Sequence, residues 1–313
     1  MFPARVIAFA ALALVVSALY APIAASQTYR TASPAPAYGW PVRPFHEQHP
    51  IRGNFGDPRI ARTVQSFHFG VDVYAANGTA VYATQSGRAS IPPRHGSTVI
   101  VRRSDGRILE YWHIVPSVRS GQSVTAYRTV IGHVMEPWAH VHFTERRPTG
   151  QAVNPLRYGA MGPYADATAP VVVGATFERS GVALTTERLR GAVDIVADTY
   201  DPAPINVPAP WGAVRVTPAR LQWRVVNASG VVVPWRLTVS FQSTIPPSSA
   251  FHWVYAPGTW QNRPYRPARY RFYMAHAWNT AALRDGNYVV QVAALDIRGN
   301  LTVGRFPVTL DNR

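Results

Sequence analysis

The chain has 313 residues, carries 31 basic against 16 acidic side chains for a formal net charge of +15, and contains no cysteine. That length allows two domains, and the missing cysteine excludes disulfides, a disulfide-linked partner and thiolate metal sites, so any metal must be held by His, Asp or Glu. Every basic residue is arginine, which excludes a lysine-linked carrier domain, and no run of basic residues exceeds two, so the charge predicts a generally basic surface for an anionic polymer and no nucleic acid.

The N-terminal stretch has Arg5, an apolar run from Val6 to Tyr20, then Pro22 and small residues through Ser26. This pattern predicts a signal peptide over residues 1–26 and export to the cell surface or medium, the alternative being an uncleaved membrane-anchoring helix. Residues 27–41 are rich in Pro and Ala and read as a linker. Between residues 42 and 157, short alternating apolar runs such as Thr79–Ala83, Ser97–Arg103, Arg107–Ile114 and Ala139–Phe143 are broken by Gly, Asn and Asp. Asp105-Gly106 adds a hairpin signal, so this region reads as a compact β domain. A second loop spans Tyr158 to Pro170. Residues 168–313 then repeat strand-like runs with turn signals, predicting an immunoglobulin-like β-sandwich. The fold class expected is therefore all-β, in two parts.

Ten histidines are present. His68 and Asp72 stand four apart in Phe67–Asp72, FHFGVD. Along an extended chain they would lie about 13 Å apart, too far to share an ion, so they converge only if the backbone bends near Phe69-Gly70. His140 and His142, in HVHF, fall on one face of a strand. His113 follows Tyr111 at a predicted strand end, with both side chains expected on one face. His46 and His49 do not make H-E-x-x-H, His133 is a weak candidate for an extra ligand, and His252 and His276 have no evident partners. Taken singly each motif reads as structural; their conjunction within 75 residues of one cysteine-free β region points to a metal site.

The ordered series RGNFGDPR, FHFGVD, GTAVYATQSGRA, YWHI, GQSV, IGHV and HVHF resembles the lysostaphin/LytM-type zinc endopeptidases of peptidoglycan, over roughly Pro50 to Glu145. The resemblance implies a LytM-like β-barrel or sheet domain holding one Zn²⁺ through His68, Asp72 and His142. It also implies catalytic roles for His113 and His140, with a wall polymer as partner; the working form expected is a monomer. Two imidazoles and one carboxylate leave a tetrahedral ion one open position, as catalytic sites do. Tyr111 is a candidate for oxyanion support, its simpler role being a packed strand residue. The approach to HVHF departs from the family pattern: Pro137-Trp138-Ala139 shortens a Gly-rich loop, which bears on substrate choice. The rival class is a non-catalytic wall-binding or hydrolase-activating module, against which the intact set of five residues counts. Beyond the resemblance, the stretch YRPARYRFY near residue 270 is a candidate polymer-binding surface, against the simpler reading of sandwich core and edge.

Overall fold

The computed structural model describes residues 34–61 and 64–313. The expected signal segment lies outside the described residues. Among those described, no helix is long and apolar enough to cross a membrane.

The protein is almost entirely β, and among the described residues the strands pair with one another antiparallel. In the first region one sheet runs Ile51–Gly53, Val71–Tyr74, His140–Arg146, Ile108–Trp112, Thr98–Arg102, Gly87–Ser90, Ser123–Val124, with Ala152–Val153 added beside His140–Arg146. A three-stranded sheet, Ala80–Tyr82, Val130–Val134, Ile114–Pro116, stands beside it. The alternation read in the sequence sets the faces. Val71, Val73, Val99, Val101, Leu109, Tyr111, Val141 and Phe143 are fully buried on one side, leaving Asp72, Trp112, His140 and His142 for the other. Strand His140–Arg146 lies between Val71–Tyr74 and Ile108–Trp112, with His142 opposite both Asp72 and Trp112.

The second region is a sandwich. One sheet joins Val182–Ala183, Val171–Arg179, Ala192–Pro202 and Arg215–Val216, with Arg271–Asn279 along the free side of Ala192–Pro202. The other runs Gly230–Ser240, Arg220–Asn227, Gly286–Leu295, Leu301–Leu310.

Residues 34–313 form one compact unit, and a single hydrophobic cluster runs through both regions. Phe67, just before His68, packs against Phe241, Phe251 and Tyr255 of the second region. Gly56 takes a left-handed φ of +95°, and a Cβ there would meet the Phe241 ring at 2.5 Å, so only glycine lets this loop seat on the sandwich. The Tyr255 hydroxyl donates to Gly56 O at 2.8 Å, and Thr217 N donates to Asp57 Oδ1 at 2.8 Å. Of the segment read as a linker, residues 34–37 are exposed but residues 38–41 are packed: Tyr38 and Trp40 are buried, and the Tyr38 hydroxyl donates to Glu145 at 2.6 Å. The Pro/Ala composition masked two large aromatics whose burial outweighs the spacer character of their neighbours.

Candidate active site

The bend demanded by the His68–Asp72 spacing is present. Strand Gln65–Phe67 ends before His68, and the next strand begins at Val71. Gly70 occupies the bend because of close approach: a Cβ on it would lie 2.3 Å from Phe143 O and 2.8 Å from His142 Nε2. The backbone of His68 is clamped on both sides, its N–H donating to Asp57 O and its carbonyl accepting from Gly56 N, each at 2.8 Å.

Three donor atoms now meet. His68 Nε2 and His142 Nδ1 each lie 3.1 Å from Asp72 Oδ1, and 2.6 Å from each other. All three residues are buried. His68 Nδ1 faces the Asn54 carbonyl at 2.8 Å, so that nitrogen carries the proton and Nε2 keeps its lone pair. Burial, reinforced by Arg59, holds the His68 pKa down to about 3, so the ring is neutral near pH 7. Burial resists ionisation of Asp72, but the Arg59 guanidinium beside it keeps this carboxyl well below its usual range; Arg59 Nη2 donates to Oδ2 at 2.6 Å. An unprotonated imidazole nitrogen thus faces a carboxylate oxygen with no hydrogen between them. Two acceptors in contact repel unless a cation lies between. Two of the three edges, at 3.1 Å, are close to the roughly 3.3 Å edge of a tetrahedron of donors about 2 Å from a zinc ion, and the edge between the two imidazole nitrogens is shorter at 2.6 Å. His142 Nε2 pairs with Thr144 Oγ1 at 2.9 Å, completing outer contacts of the kind that orient ligating histidines. The residues present therefore fit a zinc ion.

His140 and His113 flank this group. His140 Nδ1 faces the Trp138 carbonyl at 2.7 Å, leaving Nε2 with the lone pair, 3.5 Å from Asp72 Oδ1 and 3.4 Å from Arg52 Nη2. Burial lowers the His140 pKa to about 4. His113 sits between two strands with φ of +63°, an uncommon conformation for a residue with a Cβ. That twist breaks the alternation: His113 enters the cleft and stacks on Trp138 with centroids 3.8 Å apart. Burial, then His140, lowers its pKa to about 3. Tyr111, expected on the same face, points the other way. It is fully buried, its hydroxyl pairs with Thr84 N and Oγ1 at 2.8 Å, and it is not among the cleft-lining residues, so Tyr111 is a packed strand residue and does not reach an oxyanion in the cleft.

Residues 66–155 match the model of Peptidase family M23. By this match the segment is an M23-type peptidase domain. Among solved structures, the chain is similar to the SpoIIQ–SpoIIIAH pore-forming complex (26% identity, 34% of this chain and 80% of that one, TM-score 0.30). It is similar as well to the catalytic domain of lysostaphin from Staphylococcus simulans (22% identity, 34% and 90%, TM-score 0.29). A third is a zinc-containing peptidase from Vibrio cholerae (18% identity, 39% of each chain, TM-score 0.32).

The cleft over the M23 site is walled in part by residues outside the matched segment. Arg52, Asp57 and Arg59 come from before it, and Trp211, Gln261, Asn262 and Tyr270 from the second region. Arg52 lies over the Trp211 ring at 4.0 Å, and Gln261 Oε1 accepts from Ile60 N at 3.0 Å. Of these, Tyr270 falls in the YRPARYRFY stretch expected to bind polymer, and Arg52 and Arg59 sit inside RGNFGDPR; Trp211 had no expected role. No local pattern announces that Trp211, far along the chain, faces the same cleft as these arginines. His46, His49 and His133 are not among the cleft-lining residues. In YRPARYRFY, Arg269 pairs with Asp198 and Arg271 with Glu178, each at 2.6 Å, so these arginines are engaged within the protein.

Proposed function

We propose that this protein is an exported zinc endopeptidase that hydrolyses peptide bonds of peptidoglycan, with His68, Asp72 and His142 as metal ligands and His113 and His140 as catalytic residues. The observation that carries the reading is the convergence of three buried donors on one point, with two neutral histidines beside them at the floor of an open cleft. The M23 domain is of metallopeptidase type; zinc dependence, the individual roles and the exported location are proposed on the geometry and the N-terminal pattern.

Zinc held by these ligands supplies Lewis acidity toward a peptide carbonyl and a water pKa near 7. The chain's own residues do the rest. His140 Nε2 is the defined proton acceptor, because its Nδ1–H is committed to Trp138 O, and it takes the proton of the attacking water. Arg52, next to that nitrogen and stacked on Trp211, and His113, stacked on Trp138, border the carbonyl position and stabilise developing negative charge. Arg59 holds Asp72 ionised and fixed.

The roles separate by metal content. Measured on folded protein, His142→Ala should lose bound zinc, whereas His140→Ala should keep one zinc per chain and lose wall-hydrolysing activity by roughly 10²- to 10⁴-fold. Identical zinc contents and identical activities in the two variants would overturn the assignment.

A further inference from the structure

A second cluster of acidic side chains lies where the connecting segment meets the sandwich. Asp166 belongs to the segment entering the second region, Asp201 lies near the end of strand Ala192–Pro202, and Asp296 follows strand Gly286–Leu295. One carboxylate oxygen from each falls within 4.8 Å of the other two. None of the three lines the cleft.

Their hydrogen bonding is unequal. Asp296 Oδ1 accepts from Arg298 N and Asn300 N at 2.8 Å, and its Oδ2 from Asn300 Nδ2 at 2.5 Å. Asp166 accepts from Thr168 N at 3.0 Å. Asp201 differs: it is only 3% exposed, and its buried Oδ1 has no partner among the described residues. Arg298, the neighbouring cation, directs Nε to Tyr164 O and Nη1 to Leu156 O, at 2.9 and 2.8 Å, rather than to a carboxylate. Burial, then the charges of Asp166 and Asp296, pushes the Asp201 pKa up to about 9; burial chiefly raises Asp166 to about 6. A proton can serve one of these carboxylates, whereas one divalent cation can serve all three.

We propose that Asp166, Asp201 and Asp296 hold a calcium ion, with water completing its coordination. Oxygen-only donors select a hard cation over zinc. Three carboxylates from separate elements, completed by water, suit the flexible six- to eight-oxygen coordination of calcium better than the near-ideal octahedron that magnesium demands. The ion would tie the connecting segment to two sandwich elements. Asp201 and Pro202 pair with Val216 and Arg215, so it would also secure the base of the excursion carrying Trp211 into the cleft.

The test is titration of the full chain, stripped of divalent ions, with calcium chloride alone, read by calorimetry and by the thermal midpoint. One equivalent should bind and raise the midpoint. In Asp201→Asn, which sacrifices no hydrogen bond, affinity should fall at least roughly tenfold and the midpoint shift should disappear. Asp166→Asn, at a half-exposed position, provides the same comparison if Asp201→Asn does not fold. No calcium binding, the same binding in a folded variant, or tighter binding of magnesium than calcium would overturn the proposal.

Discussion

His68 presents Nε2 to the site because its other nitrogen is tied to Asn54 O, and Asp72 stays ionised because Arg59 holds its second oxygen. At this scale the outer contacts set the chemistry as much as the ligands do. Arg59→Ala leaves every ligand in place but removes the partner of Asp72 Oδ2 and the charge that favours its ionised form. Zinc affinity should drop by roughly 10- to 100-fold, measured by competition with a chromophoric chelator; an unchanged affinity would mean that Arg59 only packs. The histidines, the aspartate and the bend between them were legible in the sequence, since residue type and spacing carry that information. The orientation of His113 was not, because a φ of +63° reverses the face that alternation assigns. Tyr111 was misplaced for the same reason.

Among the elements, the excursion between strands Ala192–Pro202 and Arg215–Val216 brings Trp211 over Arg52. If this wall helps seat the peptide, Trp211→Ala should raise KM roughly three- to tenfold and leave kcat nearly unchanged, as loss of uniform binding does. A fall in kcat alone would instead place Trp211 in the chemistry. The aspartate cluster carries a pH signature when no cation is bound. The Asp201 pKa is raised from its ordinary value of about 3.9 to about 9 in the folded state. Between these values the folded protein holds more protons than the unfolded chain, so stability should fall as pH rises from about 4 to about 9 and level off beyond. The charged and titratable groups around it are Asp57, Asp166, Asp296, Arg298 and Tyr164. Urea denaturation across that range should show the slope in the wild type, and Asp201→Asn should flatten it; an equal slope in both would place the dependence elsewhere.

For the whole molecule, the sequence showed two sets of strands and their class, through alternation and turn residues. It did not show that the hydrophobic core runs through both, because the contacts joining them are aromatic pairs far apart in the chain. Phe67 is the centre of that junction, buried against Phe241, Phe251 and Tyr255. Phe67→Ala should cost about 3–5 kcal/mol. Residues 34–313 should unfold in one cooperative transition whether followed by fluorescence or by calorimetry. Two separated transitions would show that the M23 domain and the sandwich are energetically independent. A shared core also accounts for how a sandwich outside the M23 segment can hold one wall of its cleft in place.

The central claim, that this cleft cuts wall peptides with a metal held by His68, Asp72 and His142, meets its most direct test in mass spectrometry of purified peptidoglycan. The wall is digested by the zinc-loaded protein, by the same protein with chelator, and by zinc-loaded His140→Ala. The expected result is a set of new peptide termini that appear only with the zinc-loaded wild type and locate the scissile bond. Intact peptides from protein shown to hold zinc would contradict the account, and would turn attention to a wall-binding role for the same cleft.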